Sequence, residues 1–102
     1  MNTLHIVKVE ETYRVYYNKR ENEYHSLGEA VNDNCLSRYL KDYISEVFRH
    51  TDIKRLSVWG FGDWWWAECE TEEGVIIGEE DASDPIKATA ALLLSIEARD
   101  KE

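Results

Sequence analysis

Hydrophobic and polar residues alternate along the first part of the chain. Residues 4–9 and 13–17 are rich in β-branched and aromatic types with a period near two, which is typical of half-buried strands. The polar residues 10–12 between them suit a short hairpin connection. A charged loop follows, and residues 24–26 then fit a short third pairing segment. The pattern therefore predicts an N-terminal hairpin within residues 1–25.

A period of three to four residues, typical of helices, replaces the alternation in residues 26–50. Ser26 and Glu29 have the spacing of a capping box, so a short helix is expected to begin at Leu27. Residues 32–34 suit a second N-cap. The apolar positions beyond them predict one amphipathic helix of about four turns, and they are Leu36, Tyr39, Leu40, Tyr43, Ile44, Val47 and Phe48.

Strand patterning returns over residues 55–80. Three β-rich stretches, 55–59, 64–71 and 75–79, are joined by short turns that contain glycine. Consecutive strands joined by short turns predict an antiparallel β-meander.

A last helix is expected over residues 84–99. Asp84 is a good N-cap, and Pro85 suits the first helical turn, where its missing N–H costs nothing. Together the elements predict a single domain over residues 1–102, an α+β fold in which helices pack on an antiparallel sheet as an α/β sandwich. The stripe of the last helix that faces this sheet is predicted to be Ile86, Ala90, Leu93 and Leu94, widened by Leu92 and Ile96.

The composition agrees with one folded domain. The chain has 102 residues, 43% of them apolar, with one proline and five glycines, unlike a disordered chain. Its start lacks a secretory pattern, and the longest nearly apolar run, 88–96, is shorter than the ~20 residues of a membrane span. Cys35 and Cys69 match no metal or redox spacing, so free thiols are expected. We expect a soluble cytoplasmic protein with no membrane partner.

The charge is placed unevenly along the chain. The net charge of −9 and the pI of about 4.8 argue against direct binding to nucleic-acid phosphates. Residues 1–55 and 87–102 are each neutral, whereas residues 56–86, the acidic segment, carry nine acids and no base. Uncompensated like charge opposes compaction, so the acidic segment indicates a surface for a basic partner. A solvated face that aids solubility is the alternative.

The sequence shows no motif for catalysis, cofactors or metals. His5, His25 and His50 are scattered, and no nucleophile, base and orienting group share a recognisable spacing. Residues 60–62 lack the third glycine and the following helix of a phosphate loop. Residues 79–84 lack the pattern of a calcium loop. We therefore expect a non-enzymatic protein with no catalytic residue, cofactor or metal.

The C-terminal two-thirds of the chain resembles a known family. Its order is a helix, a tryptophan-bearing meander, an acidic turn and a helix that starts with Asp-Pro-x-x-Ala. Over residues 34–98 this resembles the small phage ABA sandwich domain family, with matches at 36–48, at Trp64–Trp66 with Glu68 and Cys69, and at 84–93. The resemblance implies an α/β sandwich of phage or prophage origin that acts in a bacterial host. It implies no catalytic residues.

The tryptophans of the meander predict either an interface or a sheet that is covered on both faces. Neighbouring strand residues point to opposite faces, so Trp65 is expected opposite Trp64 and Trp66. If helices cover one face only, large rings remain at the surface, where tryptophan commonly anchors partners. The residues assigned to partner binding are Asp63, Trp64, Trp65, Trp66, Glu68, Glu70, Glu72, Glu73, Glu79, Glu80 and Asp81.

Three functions are consistent with this surface. The leading one is an accessory factor or inhibitor that docks its acidic, tryptophan-bearing surface on a basic, nucleic-acid-binding host protein, such as a defence nuclease or a CRISPR-type complex. A toxin-immunity protein is the second. The third, from another class, is a small-molecule or sugar-binding module that uses Trp59 and residues 64–66 for stacking. Formation of a homodimer stays open.

Overall fold

The computed structural model of the protein describes residues 1–81 and 83–101. Within them the chain forms six strands and four helices. In chain order these are β1 (Asn2–Val9), β2 (Thr12–Tyr17), β3 (Arg20–Tyr24), α1 (Leu27–Val31), α2 (Cys35–Tyr39), α3 (Lys41–Phe48), β4 (Ile53–Phe61), β5 (Trp64–Thr71), β6 (Ile76–Asp81) and α4 (Pro85–Asp100).

All six strands belong to one antiparallel sheet with the order β3-β2-β1-β4-β5-β6. Two meanders, β1–β3 and β4–β6, meet at the central pair of β1 and β4, where Leu4 lies opposite Val58 and Ile6 opposite Leu56. Each meander is followed by helix, so the same topology occurs twice in the chain. The predicted α+β class, with helices on an antiparallel sheet, is confirmed.

The helices lie on one face of the sheet. Alternate strand residues on that face are buried, because their side chains meet apolar side chains of the helices. Leu56 and Val58 of β4, for example, are at most 1% exposed, and so are Ile44 of α3 and Leu92 of α4. Each such aliphatic side chain contributes about 1.5–3 kcal/mol relative to an exposed one. Of the two alternatives for the tryptophan-bearing meander, the sheet covered on both faces is wrong, because no described helix lies on the opposite face.

The three predicted helix starts are confirmed by their caps. Ser26 accepts a hydrogen bond from the backbone N–H of Glu29, and Asp84 accepts one from that of Lys87. Asn34 forms a reciprocal capping box with Ser37. These positions could be identified from local spacing because a cap satisfies N–H groups within its own first turn.

The predicted four-turn helix is divided in two at Leu40. The backbone there has φ −100° and ψ 7°, outside helical values, which ends α2 and begins α3. Leu40 itself is fully buried, and the turn allows its side chain and those of α3 to reach the sheet together. Tyr39, expected on the apolar stripe, consequently lies 56% exposed.

The predicted apolar stripe of α4 is partly wrong. The fully buried positions are Ala88, Thr89, Leu92 and Ile96, whereas Leu94 is 68% exposed. At 100° per residue, Leu94 lies about 200° from Leu92 and therefore faces away from the sheet. Small side chains at the start of α4 let the helix approach β5 and β6 closely.

Strand β3 occupies part of the region that was predicted to be a charged loop. A two-residue turn at Asn18 and Lys19 connects β2 directly to Arg20. Asn18 has φ 56° in the left-handed region, which asparagine tolerates better than most residues, and its side chain accepts a hydrogen bond from the Thr3 backbone N–H. Among the described residues, no helix is long and apolar enough to span a membrane.

Candidate interaction surface on the open sheet face

The face of the sheet opposite the helices, here called the open face, is built from the alternate residues that the core does not use. Because side chains alternate along a strand, the register in which the strands pair determines which side chains lie together on this face. Strands β1 and β4 contribute His5, Arg55, Ser57, Trp59 and Phe61 among others. Strands β5 and β6 complete this part of the face with Trp64, Trp66, Glu68, Glu70, Ile76, Gly78 and Glu80.

Four rings gather at the end of the open face that is nearest the β4–β5 turn. This aromatic cluster consists of Trp59, Phe61, Trp64 and Trp66. The ring centroids of Trp59 and Trp66 lie 6.0 Å apart with planes inclined by 44°, and those of Phe61 and Trp64 lie 6.4 Å apart at 51°. Phe61 is 59% exposed, and the three indoles are half-buried. Such tilted contacts stabilise aromatic pairs while leaving ring surface available to a partner.

Carboxylates orient two of these indoles. The Trp66 Nε1–H donates to Glu68 Oε1 over 2.9 Å, and the Trp64 Nε1–H donates to Glu80 Oε1 over 2.7 Å. The Trp66 ring lies across Gly78, where an added Cβ would come within 2.4 Å of Trp66 Cζ2. Glycine at position 78 therefore allows the indole to rest on the backbone of β6.

Trp65 is excluded from this surface, which corrects its assignment to partner binding. Its side chain points to the helix side of the sheet and is only 8% exposed. The indole N–H donates to the Gly62 carbonyl over 3.1 Å, and the ring covers Gly60, where a Cβ would lie 2.7 Å from Trp65 Cδ2. Trp64 and Trp66 point the opposite way, as the period of two predicts.

The centre of the open face contains an ion-pair network rather than free acids. Arg55 Nη2 donates to Glu68 Oε2 over 2.8 Å, and Arg55 Nε donates to Glu70 Oε1 over 3.1 Å. Lys54 Nζ lies 3.0 Å from Glu70 Oε2. Hydrogen bonds from Lys54 and Arg55 hold the pKa of Glu70 below its usual range. The expectation of uncompensated charge is therefore wrong for Glu68 and Glu70, because two bases that directly precede the acidic segment pair with them.

His5 and Ser57 extend this network towards β1. The His5 Nδ1 lies 2.6 Å from Ser57 Oγ, and Arg55 Nη1 donates to the same hydroxyl oxygen. Ser57 is fully buried beneath these neighbours. Burial and the charge of Arg55 lower the pKa of His5, although Glu68 opposes this. The neutral form of His5 is thus favoured.

The remaining acids that were assigned to partner binding are divided between the surface and the helix side. Asp63 in the β4–β5 turn, Glu72 and Glu73 in the β5–β6 turn and Glu80 on β6 are exposed, and we call these four the rim acids. None of them forms an ion pair with another described residue. Glu79 faces α4 instead and accepts a hydrogen bond from Ser95. The side chain of Asp81 lies outside the described residues.

Neither a disulfide nor a group of metal ligands is found among the described residues. Cys69 is buried on the helix side, which raises the pKa of its thiol to about 11, and Cys35 is exposed at the start of α2. Both are free thiols. Within the described residues, no three His, Cys, Asp or Glu side chains gather as a metal-binding group.

Sequence reasoning missed several residues of the open face. Phe61, Arg55, His5 and Ser57 reach it through pairing between distant strands, which local patterns do not specify. Gly78 did leave a local signal, since an isolated glycine inside a strand indicates close approach of another group. That signal does not identify the Trp66 ring as the group.

Comparisons of the chain with family models, with curated proteins and with solved structures find no match. The resemblance to the phage ABA sandwich family therefore stays a prediction. Function is inferred below from the geometry and charge of the open face.

Proposed function

We propose that this is a non-enzymatic binding protein that docks its open face on a protein partner with a basic surface. The observation that supports this most strongly is the aromatic cluster, which lies on a sheet face that no described helix covers. Tryptophan and phenylalanine are enriched at the centres of protein interfaces, where they supply apolar area with little loss of side-chain entropy.

The dimensions of the open face suit a partner of ordinary size. Six strands spaced by about 4.8 Å, with a rise of about 3.3 Å per residue, give a face on the order of 600 Å². A standard interface buries roughly 800 Å² on each partner, so the face with its surrounding turns supplies sufficient area.

The charge distribution selects a basic partner. Lys54 and Arg55 neutralise the centre of the face, whereas the rim acids lie at its two ends without a described counter-charge, Asp63 and Glu80 beside the aromatic cluster and Glu72 and Glu73 at the opposite turn. Rim charges increase the association rate and discriminate between partners, while a central apolar patch holds the complex together. The partner therefore presents an apolar patch opposite the aromatic cluster, with Lys or Arg opposite the rim acids.

Nucleic-acid-binding proteins combine these features, because their binding grooves are basic and contain groups that stack on bases. In this proposal the protein is a phage- or prophage-encoded accessory factor or inhibitor that acts in the cytoplasm of a bacterial host. It occupies the groove by presenting carboxylates where phosphates would bind. Defence nucleases and CRISPR-type complexes are partners of this kind.

The test is affinity capture with two variants that change the charge equally. One carries Glu72→Gln, Glu73→Gln and Glu80→Gln, and the control carries Glu29→Gln, Asp42→Asn and Glu97→Gln, all three exposed and on helices rather than on the open face. The wild type and the control should capture the same basic protein, whereas the rim variant should lose it. Glu68 and Glu70 are kept, because their removal would leave Arg55 unpaired.

The captured protein is then purified for a competition experiment. Its binding should weaken steeply between 50 and 200 mM salt, as expected for association steered by charge, and its own nucleic acid should compete for the same site. Equal capture by the rim and control variants would contradict the proposal. A complex that binds nucleic acid undiminished would contradict the mimicry of phosphates.

A further inference from the structure

The Trp66 indole forms a flat platform on the open face. One side of the ring rests on β6 at Gly78, where three of its carbon atoms lie within 3.2 Å of the position of an added Cβ. Trp66 is half-buried, so part of its surface stays accessible. Trp59 stands beside it at a tilt of 44°, with the two centroids 6.0 Å apart, and forms one wall of a shallow site.

A carboxylate borders the same platform. Glu80 lies directly opposite Trp66 in the pairing of β5 and β6 and is exposed. Its Oε1 accepts the Trp64 indole N–H over 2.7 Å, which holds the carboxylate beside the two rings. The second oxygen of Glu80 has no hydrogen-bond partner among the described residues.

The chain does not fill this site with a cation of its own. Arg55 shares the open face with the aromatic cluster, and its guanidinium is directed to Glu68, Glu70 and Ser57. Glu68 in turn is occupied by Arg55 and by the Trp66 indole N–H. Of the two carboxylates that contact the indoles, Glu80 is therefore the one with a free oxygen.

We infer that Trp66 and Glu80 form a binding subsite for an arginine side chain of the partner, an inference that rests on the proposed function. A guanidinium is planar, stacks on an indole face and donates N–H groups to a carboxylate in the same plane. The lysine ammonium is compact and strongly hydrated, so it gains less from a flat platform. The subsite thus discriminates between two cations that the rim acids attract equally.

The test compares hexa-arginine and hexa-lysine peptides, which have the same charge, by calorimetry with the whole protein at 50 mM salt. The wild type should bind hexa-arginine roughly three- to tenfold more tightly than hexa-lysine. Trp66→Leu should abolish this preference while still binding both peptides. Tyr39→Leu, which removes an exposed ring on the helix side, should retain it.

A second pair of variants keeps the test valid if Trp66→Leu fails to fold. Glu80→Gln should reduce the preference for arginine, whereas Glu97→Gln, an equal change of charge on α4, should weaken both peptides alike. Equal affinity for the two peptides in the wild type would overturn the arginine subsite and leave the proposed function standing. Failure of both peptides to bind would overturn the two together.

Discussion

Single residues decide where the large rings of this protein lie. Trp65 and Trp66 are neighbours that point to opposite faces, and each covers a glycine on the adjacent strand, Gly60 on the helix side and Gly78 on the open face. A side chain at either glycine would occupy the space of an indole. On each face of the sheet, the position of the tryptophan ring therefore depends on the glycine beneath it.

Substitution of Gly78 by alanine tests the platform under Trp66. The new Cβ would lie 2.4 Å from Trp66 Cζ2, so the ring must leave the sheet. We expect a loss of about 1–3 kcal/mol in the free energy of unfolding, measured by urea denaturation, and a changed tryptophan emission spectrum.

Gly28→Ala is the matched control for this substitution. A Cβ there meets only Ser26 Oγ at 3.9 Å, and alanine favours the helix, so the free energy of unfolding should stay the same or rise by up to about 1 kcal/mol. Equal effects of the two substitutions would contradict the close approach at Gly78.

His5 makes the stability of the open face depend on pH. Its pKa is lowered from the ordinary value of 6.5 by burial and by Arg55, so the unfolded chain binds a proton more readily than the folded one. The contribution to the free energy of unfolding is complete above pH 6.5 and is lost as the pH falls through the folded-state pKa.

The measurement is the urea midpoint at pH 7.5 and pH 5.5 for the wild type and for His5→Gln, which keeps a hydrogen-bond acceptor but does not titrate in this range. The wild type should lose more stability on acidification than the variant does. His25 and His50 are common to both proteins, so any effect of theirs cancels in the difference. The same loss in both proteins would refute the role of His5.

At the scale of elements, β3 is an edge strand that a single carboxylate ties to the helices. Asp33, in the connection between α1 and α2, has a side chain only 5% exposed. It accepts hydrogen bonds from Arg20 Nη2 over 2.9 Å and from the Tyr24 hydroxyl, both on β3. Burial would raise the pKa of Asp33, but these hydrogen bonds bring the net shift below the usual value.

Asp33→Asn should therefore loosen β3 selectively. We expect the free energy of unfolding to fall by about 1–3 kcal/mol and the amides of β3 to exchange hydrogen faster than those of β4. Because the pKa of Asp33 is lowered, the loss in the free energy of unfolding relative to the wild type should be complete above pH 3.8. It should disappear as the pH falls through the folded-state pKa. Asp42→Asn, at an exposed site in α3, is the control and should leave the exchange of β3 unchanged.

The elements that could be predicted from sequence are those with local causes. Ser26, Asn34 and Asp84 each cap a helix through neighbours three residues away, and all three helix starts were identified. The break at Leu40 and the outward position of Leu94 depend on how the helices meet the sheet. Helical periodicity contains no information about that contact, so it predicted neither.

At the scale of the whole molecule, strand pairing changes the meaning of the charge pattern. Along the chain, residues 56–86 contain acids alone, but the pairing of β4 with β5 places Lys54 and Arg55 against Glu68 and Glu70. The acids left without a described counter-charge are therefore the rim acids, two beside the aromatic cluster and two at the opposite end of the face. The alternation of side chains along a strand predicted that Trp64 and Trp66 lie on the opposite face of the sheet from Trp65. Which face stays open follows only from the packing of all four helices.

The central claim is that the open face, and not the helix side, contacts a basic partner. Its most direct test is ¹⁹F NMR of the protein labelled with 5-fluorotryptophan, recorded alone and with the captured, unlabelled partner. Trp65 lies in the core and serves as an internal reference for the other three tryptophans. The resonances of Trp59, Trp64 and Trp66 should shift or broaden while that of Trp65 stays in place. A complex that leaves the three open-face resonances unchanged would contradict the claim.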